Sequence, residues 1–197
     1  MHAATDSHSD GISYRKKMPL RWTTLSELPG VVEAERYAEA NARVLAAVAL
    51  LEEHVQVGDE PSPHELELQR IHQKLNLLIE MFGGFLSQQI TRPEETPVRL
   101  SWRNISWDAP ESAPTGSLAI GTLGLVELQL SALLPQLLRL PARIVANHDG
   151  VVSAEFDALG EVGQRALERH VFMWHRREVA ETRQPARHVA RENREAP

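Results

Sequence analysis

Residues 138–156 read Leu-Arg-Leu-Pro-Ala-Arg-Ile-Val-Ala-Asn-His-Asp-Gly-Val-Val-Ser-Ala-Glu-Phe. Leu138, Leu140, Ala142 and Ile144 alternate with Arg139 and Arg143, the period-two pattern of a strand with one buried face. Asp149-Gly150 is a two-residue turn pair that accepts positive φ, and residues 151–156 form the return strand. Working upstream, Val126, Leu128 and Leu130 alternate against Glu127 and Gln129, after interruptions at Gly121 and Gly124. Residues 98–107 hold a strand or two. Residues 12–22 read as another extended segment, with Tyr14, Met18, Leu20 and Trp22 against basic or polar neighbours and a break at Pro19. Short strands at this spacing predict a small barrel or sandwich. Residues 161–182 read as a closing helix, with Val162, Ala166, Val171 and Trp174 on or near one face.

Two further helical segments lie between the first strand and the rest. In residues 34–55, Ala34, Asn41, Val48 and Val55 fall at a positions and Tyr37, Val44 and Leu51 at d. This heptad spacing keeps one seam facing a partner helix, and Asn41 at a is the kind of residue that fixes register and helix number. In residues 68–89, Leu68, Leu75, Phe82 and Gln89 fall at a, with Ile71, Leu78 and Phe85 at d. Leu66, Leu77, Ile79, Met81 and Leu86 widen that stripe, as suits a helix with two neighbours. Ser62, Pro63 and Glu65 give it an N-cap, a first-turn proline and a capping box. Residues 56–61 break the helix, and the 13-residue step from Val55 to Leu68 is not a multiple of seven. The helices are therefore two arms, a hairpin or an open V. Gly83-Gly84 permits a close helix contact or a kink. The expected oligomerisation residues are Tyr37, Asn41, Val44, Val48, Leu51, Leu68, Ile71, Leu75, Leu78, Phe82 and Phe85.

The resulting fold class is α+β. Residues 1–10 are expected to be disordered, 11–30 to form an extended segment joining the β domain, and 31–92 to form the two-helix oligomerisation region. Residues 93–182 are expected to hold the barrel with its C-terminal helix, and 183–197 a flexible tail.

The 197 residues carry a formal charge of −6 and no cysteine. The acidic balance argues against broad nucleic-acid binding. Lack of cysteine removes disulfides and thiolate chemistry. No apolar run reaches membrane-spanning length. Residues 1–10 lack the apolar stretch of a signal peptide, so a cytoplasmic location is the expectation. His170 and His175 are five apart and His64 and His72 eight apart, neither a metal-ligand spacing, so no metal is expected. No nucleophile elbow, phosphate loop or dinucleotide fingerprint is present, and no enzyme activity is expected. Trp102 and Trp107 beside Arg103 present a stacking surface, although strand alternation puts at least one of them in the core. His175-Arg176-Arg177 suits either an anion or the C-terminal dipole of a helix.

The run Pro97-Val98-Arg99-Leu100-Ser101, then Ile105-Ser106-Trp107, Gly116, residues 138–145, residues 152–156 and the helix ending Val171-Phe172-Met173-Trp174-His175-Arg176-Arg177 resembles the PilZ family, specifically its atypical, helix-containing bacterial branch. The resemblance covers roughly residues 12–180. It implies a six-stranded PilZ-like β-barrel with a C-terminal helix and a role in cyclic di-GMP signalling. In some atypical members, long heptad helices near the N-terminus make a tetramer, which matches the two helices here. The resemblance thus implies a homo-oligomer, a tetramer, that binds an unknown bacterial signalling or motility protein.

Receptors of this family hold cyclic di-GMP through Arg-x-x-x-Arg and Asp/Asn-x-Ser-x-x-Gly motifs. Aligning on Leu100-Ser101 puts Arg99 at the acidic or amide position and Asn104 at the glycine, leaving only Ser101 matched. A second register, Asn104 to Ala109, keeps Asn and Ser but replaces Gly with Ala; the first better keeps the hydrophobic pattern of the next strand. Upstream, residues 87–97 contain only Arg92, and Arg15 and Arg21 are six apart. Arg99/Arg103, Arg139/Arg143, Arg165/Arg169, Arg183/Arg187 and Arg187/Arg191 have the four-residue spacing elsewhere in the chain. The expectation is a scaffold without standard cyclic di-GMP binding and without a cofactor. The alternative is a receptor with a degenerate or intersubunit site, contacted by Arg99, Ser101, Arg103 and Asn104.

Overall fold

The computed structural model describes residues 11–52, 62–89, 93–110 and 116–192. Its elements are β1 (Ser13–Thr24), α1 (Val31–Glu52), α2 (Pro63–Gln89), β2 (Glu95–Ser101), β3 (Asn104–Asp108), β4 (Leu123–Leu128), β5 (Leu138–His148), β6 (Val151–Phe156) and α3 (Gly160–Glu192). The strands close a barrel in the order β1-β2-β3-β6-β5-β4, with antiparallel neighbours throughout. Closure depends on β1 serving two partners. Residues 13–19 pair with β2, and residues 20–24 pair with β4. Pro19, which has no N–H for a ladder, marks the changeover.

Alternation fills the barrel as the sequence pattern requires. Met18, Val98, Leu100, Ile105, Trp107, Val126, Leu128, Leu140, Ile144 and Val152 are all buried. Asp149 and Gly150 both adopt positive φ between β5 and β6, the geometry expected of the Asp-Gly turn. Gly124 leaves room for the Trp22 ring, which a Cβ there would overlap.

α1 does not use its heptad seam against another helix of the same kind. Its buried residues are Ala34, Ala38, Asn41, Leu45 and Val48, and they pack on the chain's own α3 and β5. The buried stripe therefore takes in Ala38 and Leu45 in place of the d positions. Tyr37 and Leu51 are partly exposed, and Val44 rests at the edge of the core. The reason is local. β5 outruns β6, whose pairing with it stops at Ala142. The free edge at Arg139 is completed by a side chain instead of a strand. Asn41 Nδ2 donates to the Arg139 carbonyl at 2.8 Å, and the Arg139 N–H donates to Asn41 Oδ1 at 2.8 Å. Asn41, 4% exposed, is thus a strand substitute and not a register device between helices. Gly163 lies against Ala38, which lets α1 and α3 approach closely.

α2 begins as its capping box dictates. Ser62 N–H donates to Glu65 Oε2 at 2.7 Å and Glu65 N–H to Ser62 Oγ at 3.3 Å. The Ser62 backbone N–H, and after it the Ser62 hydroxyl, hold the Glu65 carboxyl below its usual pKa. The two arms do not bury their seams on each other, because α1 is occupied by the barrel and α2 stays exposed. α3 continues to Glu192, past the boundary at Thr182 and into the segment read as a tail. The Ala, Arg and Glu content of that stretch favours helix.

Asn41→Leu should therefore destabilise the folded chain by about 1–3 kcal/mol, because it leaves the part-buried N–H and C=O of Arg139 without their partner. A urea midpoint shift measures it. A seam asparagine in a helix bundle would give the opposite sign.

Candidate functional site

The barrel has two unlike sides. α1 and α3 cover one of them. The other is open and carries a cavity of about 700 Å³. Its walls follow from strand alternation. Ser13, Arg15 and Lys17 of β1 face outward beside Pro97, Arg99 and Ser101 of β2, and the ladder sets Arg15 directly opposite Arg99. Like charges in cross-strand positions repel, so the pair leaves a place where an anion would be stabilised. Arg99 Nε donates to Ser13 Oγ at 3.1 Å, which orients its guanidinium along the wall. On the far wall stand Asp108 and Glu155, with Val145 and Val151 between strands β5 and β6. The Ser106 and Ser153 hydroxyls, 2.9 Å apart, join β3 to β6.

Of the four nucleotide candidates from the sequence, Arg99, Ser101 and Asn104 line this cavity. Ser101 is largely committed to the β2–β3 turn. Its Oγ accepts from the N–H groups of Arg103 (3.2 Å) and Asn104 (2.9 Å) and lies 2.9 Å from Asn104 Oδ1. Arg103 does not line the cavity; its guanidinium sits 4.3 Å over the Trp102 ring. Trp107 is core and Trp102 half-buried, as alternation requires.

Two of the remaining spaced arginines, Arg139 and Arg165, are drawn elsewhere. Arg139 and Arg21 flank Glu127 at 3.2 and 3.6 Å, and Arg165 pairs with Glu161 at 3.1 Å. Arg15 and Lys17 were missed as site residues. Their alternation with Tyr14 and Met18 puts them on the outer face. What sequence could not supply was the register that brings Arg15 to Arg99, 84 positions away.

Beneath β1 a second cluster holds α3 in place. Tyr14 stacks on Trp174 (5.6 Å between rings), and Lys16 Nζ lies 3.9 Å from the centroid of the Trp174 ring. Arg177 binds Glu52 Oε2 at 3.0 Å and its carbonyl at 3.2 Å, placing a cation at the C-terminus of α1. His175 Nδ1 donates to the Ser13 carbonyl at 2.7 Å. The His-Arg-Arg run thus joins elements of the fold. Tyr14 Oη and His170 Nε2 lie 2.9 Å apart. Burial raises the Tyr14 pKa, with Glu52 adding to it. Burial, then Lys16 and Arg177, lowers that of His170 to about 4.

No group of three His, Cys, Asp or Glu side chains suited to a metal occurs among the described residues, and no described helix is long and apolar enough to cross a membrane.

Residues 42–184 match the family described as the atypical PilZ domain, a cyclic di-GMP receptor. The chain belongs to the atypical PilZ family. A solved PilZ structure from Xanthomonas campestris is 30% identical, covering 87% of this chain and 92% of its own, with a TM-score of 0.61. That pathogenic protein is described as a tetrameric PilZ domain self-assembled through an unusual helical bundle. No curated protein matches the chain. The PilZ match spans the second half of α1, all of α2 and the strands from β2 onward.

His170 gives a pH test of the PilZ core. Its folded pKa lies below the ordinary 6.5, so the unfolded chain takes up the proton first as pH falls. Stability should drop between about pH 6.5 and 4, by about 2 kcal/mol from pH 7 to 5. Urea midpoints at the two pH values should show this loss, and His170→Gln should remove most of it.

Proposed function

We propose that this PilZ protein is a non-enzymatic scaffold that assembles through α2 and presents its barrels to a protein partner in bacterial signalling or motility. One observation carries the assembly. Leu68, Ile71, Leu75, Leu78, Phe82 and Phe85 are each about half exposed or more, from 49% to 64%. Leu66, Leu77 and Met81 are exposed as well. A contiguous apolar surface of this kind on a helix is covered by other protein. Burying the rest of these side chains is worth on the order of 1 kcal/mol each, before the cost of association. The assembly residues of α1 are not carried into this proposal: Asn41, Val44 and Val48 are engaged within the chain, which leaves Tyr37 and Leu51 at its margin. The described helical-bundle tetramer of the Xanthomonas protein supports a tetramer here too. The partner class rests on the family.

Leu75→Asp with Leu78→Asp should give smaller particles by light scattering with the barrel still folded by circular dichroism. Particles of unchanged mass would place the interface elsewhere.

A second reading is favoured by the cavity. Cyclic di-GMP would be held in a degenerate manner by Arg15 and Arg99, with Ser101 and Asn104 shaping the turn beside it. Arg99 and Arg15 supply the guanidinium forks that phosphates require. The absence of a second motif arginine in residues 87–97 and the presence of Asp108 and Glu155 make this the weaker reading. Titration calorimetry with cyclic di-GMP decides between them. The scaffold reading expects no binding at micromolar ligand. Micromolar binding that falls at least tenfold in Arg99→Ala establishes the receptor.

A further inference from the structure

α2 carries many exposed apolar residues, yet its one buried position among those with described side chains is a glycine. Gly83 is buried, while Met81, Phe82, Gly84 and Phe85 around it are exposed. A Cβ added at Gly83 would stand 2.6 Å from the Leu133 carbonyl oxygen and 3.3 Å from its carbon. Added at Gly84, it would meet nothing within 4 Å. Two adjacent glycines in one helix thus have different surroundings: one faces backbone, the other open space.

The backbone that Gly83 meets is braced. Leu133 belongs to the β4–β5 connection. Gln129, 3% exposed, spans that loop from inside, with Nε2 donating to the carbonyls of Ser131 and Leu134, each at 3.0 Å. Ser131 Oγ accepts from the Leu133 N–H at 3.2 Å. The Gln129 N–H donates to the Pro19 carbonyl at 3.0 Å, at the changeover point of β1. A side chain entering at Gly83 would therefore meet a loop tied on several sides, and the helix would be the part that moves.

We infer that the β4–β5 loop is a built seat for α2, and that Gly83 is the positioning residue that lets the helix enter it. α2 is then held to the barrel twice. The chain itself runs from Gln89 into β2 at Glu95, and the seat grips the helix two turns earlier. With both points fixed, the direction in which α2 leaves the barrel is set. The apolar face is presented at a defined angle to the strand that carries Pro97 and Arg99. One point alone would leave the helix free to swing about its connection to β2.

The glycine pair supplies its own control. Gly→Ala inside a helix raises helix propensity at either position. Only Gly83→Ala meets the Leu133 carbonyl, forcing α2 outward by about 1 Å to restore normal contact. The chain has no cysteine, so spin labels at Glu39→Cys on α1 and Arg70→Cys on α2 report the angle directly. Labelled chains are diluted with unlabelled ones so that only distances within one chain are read. Wild type and Gly84→Ala should share one narrow distance distribution, and Gly83→Ala should shift or broaden it while retaining helix content. Identical distributions for the two alanine variants would falsify the seat, and so would a broad distribution in all three. The inference is separable from the assembly reading. A monomeric wild type with the same contrast between Gly83 and Gly84 overturns assembly and leaves the seat standing.

Discussion

The paired hydrogen bonds between Asn41 and the backbone of Arg139 organise much of this molecule. A closed barrel needs every strand edge satisfied, and β5 extends beyond the end of β6. An unpaired N–H and C=O buried under a helix would each cost about 1–3 kcal/mol. One primary amide offers a donor and an acceptor in the arrangement a neighbouring strand would offer. Placing it on α1 fixes that helix to the barrel in both rotation and translation. Leu45, Val48 and the small residues Ala34 and Ala38 then pack where the amide has put them, and α3 closes over the same groove.

This constraint distributes the tasks of the two N-terminal helices. A face used to cover a barrel is not available to a second copy, so the self-assembly proposed above falls to α2. It also leaves the barrel with one covered and one open side. The open side concentrates Arg15, Lys17 and Arg99 on a chain whose formal charge is −6. A local positive field on an acidic protein discriminates among anionic partners more sharply than a uniformly basic surface, because the remaining surface repels them. Asp108 and Glu155 narrow the choice further by penalising negative charge at the opposite wall.

Much of this was legible in the chain. The alternation of residues 138–144 and the Asp-Gly turn gave β5 and β6, and Ser62 with Glu65 marked the start of α2 to the residue. The heptads of α1 were legible but ambiguous. Ala34, Asn41 and Val48 recur every seven residues whether their companions are Tyr37 and Val44 or Ala38 and Leu45. Rotating the stripe by one residue decides between a partner helix and the chain's own barrel. Alanine carries too little hydrophobic signal to tip that choice; what decides it is how closely the helix approaches, and Gly163 against Ala38 is a contact between distant parts of the sequence. The candidate site was legible by halves for a related reason. Arg99, Ser101 and Asn104 are neighbours along the chain, whereas Arg15 joins them only through the ladder.

The separation between core and α2 has a thermodynamic consequence. The buried cluster runs through the barrel, α1 and α3 and contains none of the described α2 side chains. The described core of the barrel is thus built from its own strands with α1 and α3. α2 is in the opposite position. An isolated helix draws little stability from propensity alone and depends on the packing of its apolar face. The seat inferred at Gly83 fixes how α2 leaves the barrel, and in the proposed assembly its exposed leucines and phenylalanines supply the packing that an isolated helix lacks. In the assembly proposed above, the contacts of α2 with other chains would add to the stability of a core built from the barrel, α1 and α3, and that contribution rises with concentration.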